Sequence, residues 1–159
     1  MDYASPFFTK RGKSLTYQLP ALVEGRSQQR KITLVVSPLL SLIKDQEEQM
    51  NDFEKGSAVA FTSGIGTSEQ NRRWNLVRDV NSGVCIIFVT PERVFKSNKL
   101  RSELEKLNSQ NRLGRFVIDE CKICSMIRTM IFVMVFSISL IFIIFVIFVV
   151  RSLCMSMGS

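Results

Sequence analysis

Two short polar clusters in this chain carry residue types suited to phosphate and metal chemistry. Gly12-Lys13-Ser14 opens a helix-like segment, so its backbone N–H groups and dipole would point at an anion. In a phosphate-binding loop the lysine reaches the terminal phosphates and the hydroxyl binds Mg2+. About 105 positions further on, the apolar run Phe116-Val117-Ile118 ends in Asp119-Glu120. An acid at the end of such a strand completes a Mg2+ site, and a second acid beside it can orient the attacking water. Either cluster alone is weak, since G-K-S triplets arise by chance and acids after strands usually lie in solvated loops. Their pairing in this order points to a nucleoside-triphosphate site.

The elements that would position these residues alternate in type. After the G-K-S triplet, 14–23 has the pattern of a helix. "KITLVVSP" is a buried type of strand stopped by Pro38. Over 39–53, Leu39, Ile43, Met50 and Phe53 fall on one helical face. "SAVAFTSG" is the next strand and "SEQNRRWNLVRDV" the next helix, with Ser68 placed as its cap. "GVCIIFVTPER" is a third strand; "SNKLRSELEKLNSQN" is a helix with Leu100, Leu104 and Leu107 along one side; "RFVIDE" is a fourth strand. Strands buried on both faces and separated by helices predict an α/β fold with a parallel sheet and crossovers. Ligands in such sheets bind at the carboxyl ends of the strands. Those ends carry Ser37-Pro38, Thr90-Pro91-Glu92-Arg93 and Asp119-Glu120.

Four blocks, "GKSLTYQLPAL", "TLVVSPLLSLIKDQ", "FVTPER" and "FVIDE", resemble in order and separation the RecQ family of ATP-dependent DNA helicases, its Bloom-type branch most of all. The resemblance covers roughly 11–120 and implies a partial first RecA-like lobe, a P-loop NTPase fold whose family activity is ATP-driven 3′→5′ DNA unwinding. It implies ATP and Mg2+ as cofactors, with Gly12, Lys13 and Ser14 on the phosphates, and Ser14, Asp119 and Glu120 at the metal and in hydrolysis. Ser37, Pro38, Thr90, Pro91, Glu92 and Arg93 correspond to segments that lie along DNA, where hydroxyls, N–H groups and arginine suit backbone phosphates. DNA is the implied partner and the nucleus the implied location. No small-molecule substrate other than ATP is expected.

The chain also departs from the family. Two glycines of the loop are replaced by Lys10 and Arg11, which cannot follow a backbone that needs glycine to approach phosphate closely. The strand before the loop, the upstream adenine-reading glutamine motif and the second lobe have no counterpart, and Lys122 stands where the family has histidine. Nucleotide binding is therefore expected to be weak or lost, and the chain alone inactive. A non-enzymatic DNA- or partner-binding fragment is the alternative.

Composition separates a polar body from a different tail. Of the net charge of +7, the residues from 121 on supply +3 through Lys122, Arg128 and Arg151, leaving +4 on the body. A modest basic excess suits nucleic acid or an anionic surface. The chain contains no histidine, which excludes Ser-His-Asp and Cys-His catalysis. Cys121 and Cys124 form a lone C-x-x-C with only Cys85 and Cys154 besides, too few ligands for a structural zinc site, so no structural metal is expected. The stretch 130–150 has no charge, Gly or Pro and is about the 20-residue length that crosses a bilayer. The organisation expected is thus an extension over 1–10, the partial lobe over 11–120, and a tail over 121–159 whose segment 130–150 forms a hydrophobic, transmembrane-like helix. That segment would allow membrane insertion. Its Phe, Leu, Ile, Met and Val all have codons with a central T, so a frame-shifted or read-through tail, and with it a gene product without function, is a further alternative.

Overall fold

A computed structural model of the chain describes residues 10–119 and 146–148, with side chains described for 14–119. Its elements run α1 (Lys10–Gly25), β1 (Ile32–Val36), α2 (Leu40–Phe53), β2 (Ala58–Phe61), α3 (Thr67–Arg78), β3 (Ile86–Val89), α4 (Pro91–Lys96), α5 (Asn98–Ser109), β4 (Leu113–Ile118) and β5 (Val146–Phe148). The strands form one sheet in the order β2-β3-β1-β4-β5, and every pairing is parallel.

The largely apolar runs of β1, β2 and β3 are buried along their whole length, because alternate side chains feed two separate apolar layers. Val35, Ala58, Ala60, Ile86 and Phe88 pack under Tyr17, Ala21 and Leu22 of α1 and Ile43 and Met50 of α2. Their neighbours Leu34, Val36, Val59, Phe61, Ile87 and Val89 face the other way, onto Trp74 and Val77 of α3, Val94 of α4, and Leu100, Leu104 and Leu107 of α5. Each fully buried Leu, Ile or Phe stabilises by about 1.5–3 kcal/mol, so this alternation fixes which helix lies on which face. Trp74 stacks on Phe61 with ring centroids 4.2 Å apart, pinning α3 to the sheet edge. The crossover from β1 runs one way to β2 and the crossover from β3 runs the other way to β4. Adjacent strands β1 and β3 therefore send their chains to opposite faces, which opens a crevice at their carboxyl ends.

The α/β parallel-sheet architecture expected from the sequence is what forms, an incomplete RecA-like lobe. Several local expectations are corrected. Helix α1 begins at Lys10, so the G-K-S triplet lies inside its first turns rather than before it. Gly66 is the N-cap of α3 and offers no side-chain cap, so Ser68 does not cap that helix. The "TPER" stretch is not a strand terminus alone. Thr90 is the N-cap of α4, and Pro91 takes its first position, where the absent N–H is not needed.

Residues 146–148 form β5, pairing Val146, Ile147 and Phe148 with Phe116, Val117 and Ile118. A helix expected over 130–150 is corrected at these three positions, which extend the sheet instead; the rest of that segment lies outside the described residues, as do Cys121, Lys122 and Cys124. Among the described residues no helix is long and apolar enough to cross a membrane.

Candidate nucleotide site at the carboxyl ends of the strands

The carboxyl ends of β3, β1 and β4 are tied side by side. Ser37 donates its N–H to the Val89 carbonyl at 3.0 Å, and Asp119 donates its N–H to the Val36 carbonyl at 2.9 Å. Ser37, Thr90 and Asp119 are thus brought to one edge of the sheet. Glu120 lies outside the described residues. Gly12 and Lys13 have a described backbone, in the first turns of α1, but no described side chain.

Ser14 and Asp119 meet through side chains that neither cluster contains. Gln46, on α2, donates from Nε2 to Ser14 Oγ at 3.0 Å and to Asp119 Oδ2 at 3.2 Å. Its Oε1 accepts from the Tyr17 hydroxyl at 2.9 Å, and that hydroxyl also lies 3.3 Å from Asp119 Oδ2. All four residues are buried, so the polar groups satisfy one another as burial requires. Burial, and then the nearby Asp119 charge, push the Tyr17 hydroxyl well above its ordinary range. Tyr17 is therefore a neutral donor here at any working pH, and Asp119 takes its bonds from neutral groups among the described residues.

What this arrangement can hold follows from its donor set. A hydroxyl oxygen from α1 and a carboxylate oxygen from the end of β4 converge on a single amide nitrogen. Two hard oxygen donors converging on one point suit Mg2+, which keeps waters and phosphate oxygens for its remaining positions. The residues present fit such an ion.

The segments assigned to DNA differ in what they expose. Ser37 is fully buried and its Oγ has no partner; Thr90 is buried and Pro91 is buried beside it. Glu92 is exposed, and Pro38 and Arg93 are half-buried. The Arg93 Nε is unpartnered. Of the residues singled out for DNA, those with surface to offer are therefore Pro38, Glu92 and Arg93.

Gln46 and Tyr17 were not singled out from sequence. Both stand inside the quoted blocks, "LTYQL" and "IKDQ". The available signal was position: Gln46 lies three residues after Ile43 and four before Met50, on the face those two bury.

Comparison with known proteins gives the chain a family. Residues 9–128 match the DEAD/DEAH box helicase family. Over 113 residues the chain is 46% identical to the ATP-dependent DNA helicase Q-like 4B of Arabidopsis thaliana, covering 70% of this chain and 9% of that protein. It is 38% identical over 112 residues to the RecQ-like DNA helicase blm-1 of Caenorhabditis elegans, covering 70% and 11%. It is 35% identical over 113 residues to the ATP-dependent helicase SGS1 of Saccharomyces cerevisiae, covering 70% and 8%. The chain thus spans about a tenth of the length of these relatives.

Proposed function

The chain belongs to the DEAD/DEAH box helicase family, with RecQ-type helicases among its relatives, and from that premise we propose that it forms the ATP-binding part of the first lobe of a RecQ-type 3′→5′ DNA helicase. The observation that carries this reading is the meeting of Ser14 Oγ and Asp119 Oδ2 on one nitrogen. Residues 105 positions apart rarely share a buried hydrogen-bond donor unless the fold requires it.

In this reading Gly12 and Lys13 face the phosphates of ATP, and Ser14 and Asp119 hold the metal. Mg2+, when bound, would neutralise charge on the phosphate oxygens. Glu120, next along from Asp119, is assigned to orienting the attacking water. Arg93 contacts a DNA phosphate from the neighbouring strand end, alongside Pro38 and the start of α4; Ser37 and Thr90 contribute through the backbone they shape rather than through their buried hydroxyls. Partner and location follow as DNA and the nucleus.

The same reading makes the chain by itself a poor ATPase. Lys10 and Arg11 replace loop glycines, and the α-helical start at Lys10 turns the Ser14 N–H back toward residue 10 instead of outward to a phosphate. DNA contact without turnover is then the activity that survives most easily.

The test is a titration of the full chain with a fluorescent ATP analogue and Mg2+, with Lys13→Ala as comparison. Weak, Mg2+-dependent binding lost in Lys13→Ala supports the reading. Binding indifferent to both Mg2+ and Lys13 would refute it.

A further inference from the structure

Gln46 occupies an unusual place for a neutral side chain. It is 2% exposed, in the middle of the buried face of α2, and its carboxamide touches Ser14, Tyr17 and Asp119 together. Only one orientation of that amide works. Turned over, Oε1 would face the Asp119 carboxylate and the Ser14 oxygen would lose its donor. The two protons of the NH2 group are therefore divided between the two oxygens assigned above to the metal.

We propose that Gln46 is a positioning residue that stands in for the cation between Ser14 and Asp119 and is displaced when the ion binds. The inference rests on the reading of those two residues as a Mg2+–nucleotide site. Distances decide the matter. Mg2+ demands about 2.0–2.1 Å to its oxygen ligands, whereas Nε2 lies 3.0 Å from Ser14 Oγ and 3.2 Å from Asp119 Oδ2. An ion bound to Ser14 along that direction would come within about 1 Å of the nitrogen, far inside contact distance. Along that line the amide and the ion exclude each other, so an ion held there displaces the amide.

Displacement has a mechanical consequence, because Gln46 belongs to α2. That helix starts at Leu40, just beyond Ser37-Pro38 at the end of β1. Its other buried side chains, Ile43 and Met50, belong to the layer against the sheet, so a shift of Gln46 is passed to the helix or absorbed by rotation of its own side chain. The first outcome links the metal site to the strand end assigned to DNA.

The experiment measures affinity for Mn2+ alone, read by paramagnetic resonance, on the full-length wild type, Gln46→Met and Gln46→Lys. Met keeps the volume and removes the competing donors. Binding should then tighten about fivefold, the worth of roughly one lost hydrogen bond. Lys installs a permanent cation in the same position, and binding should weaken by at least about tenfold through like-charge repulsion. Circular dichroism establishes that each variant is folded, and a purely packing role would not move the two affinities in opposite directions. Equal Mn2+ affinity in all three folded proteins, or weaker binding in Gln46→Met, overturns the proposal. Loss of the fluorescent nucleotide signal in wild type, with Mn2+ still responding to residue 46 as stated, would instead sink the nucleotide reading and leave the stand-in intact.

Discussion

At the scale of single residues, Ser14 and Asp119 reach one another through Gln46, which donates to both. Ser14 and Asp119 announce themselves by neighbours in sequence, a glycine and lysine before one and an apolar strand before the other. Gln46 is hidden because a glutamine in an amphipathic helix ordinarily faces water. Here it faces inward because Asp119 and Ser14 supply its partners, and those lie 73 and 32 positions away. Gly25 was equally silent. A Cβ there would sit 2.4 Å from the Cβ of Cys85, so Gly25→Ala should destabilise by about 1–3 kcal/mol in urea unfolding. Because the clash is with Cβ and not sulfur, Cys85→Ala should fail to rescue it, while Cys85→Gly recovers part of the loss. Burial, with the charge of Glu54 as the next cause, also pushes the Cys85 thiol up from 9.0 to about 12. In the unfolded chain that thiol ionises near its ordinary value, so the stabilising effect of keeping it neutral is complete below pH 9 and is lost as pH rises toward 12. Tyr17, raised above its ordinary 10.0, acts in the same direction from a higher starting point. Stability measured against pH should therefore begin to fall near 9 in wild type and nearer 10 in Cys85→Ala. Coincident onsets would show that the thiol is not buried as described.

At the scale of elements, periodicity identified the helices and strands well and their ends poorly. The stripe Leu100, Leu104 and Leu107 is buried as expected, since three leucines at helical spacing have no other economical place. The face Leu39, Ile43, Met50 and Phe53 is only half right: Ile43 and Met50 are buried, whereas Phe53 is 72% exposed. A periodic count weighs each apolar residue alike, but both ends of that stretch lie off the packed face, Leu39 being 48% exposed as well. Short α4 escaped notice because Pro91 reads as a strand breaker and also as a helix start.

What sequence could not show at all is how the outer edge of β2 is closed. Asn51 pairs both backbone groups of Ala58, donating to its carbonyl at 3.1 Å and accepting from its N–H at 3.1 Å. Glu47 accepts from the Ala60 N–H at 2.9 Å while Arg73 donates to the Ala60 carbonyl at 2.6 Å. These side chains take the place of a neighbouring strand, which blunts an edge otherwise open to self-association. Asn51→Leu combined with Glu47→Leu should give concentration-dependent oligomers in size-exclusion chromatography; a monomer at all concentrations would contradict this role. Glu103, buried between Arg78 and Lys106, ties α3 to α5 and has its carboxyl held below the usual range by the Arg78 hydrogen bond. Its contribution is present above the ordinary value of 4.5 and fades as pH falls through the lowered one. Arg78→Ala should cost about 1–2 kcal/mol at neutral pH, and the difference from wild type should shrink in acid.

At the scale of the whole molecule, the sequence of strands and helices was readable, but not their spatial order. Nothing in "KITLVVSP" states that β1 lies between β3 and β4. That placement follows from two crossovers of opposite direction, and it is what sets Ser37, Thr90 and Asp119 side by side. Residues 146–148 show the opposite case, where composition spoke too loudly. They add a parallel strand beside β4, and an unbroken apolar run fits a buried strand as readily as a helix. The proposed site has α1 and β4, distant in sequence, hold one metal ion between them. Its most direct test is a double-mutant cycle on Mg2+-dependent ATP-analogue binding, using Ser14→Ala, Asp119→Asn and the pair. If both oxygens serve one ion, the double variant should bind scarcely more weakly than the worse single variant, a coupling of about 1 kcal/mol or more. Losses that simply add, in folded proteins, would contradict a shared site.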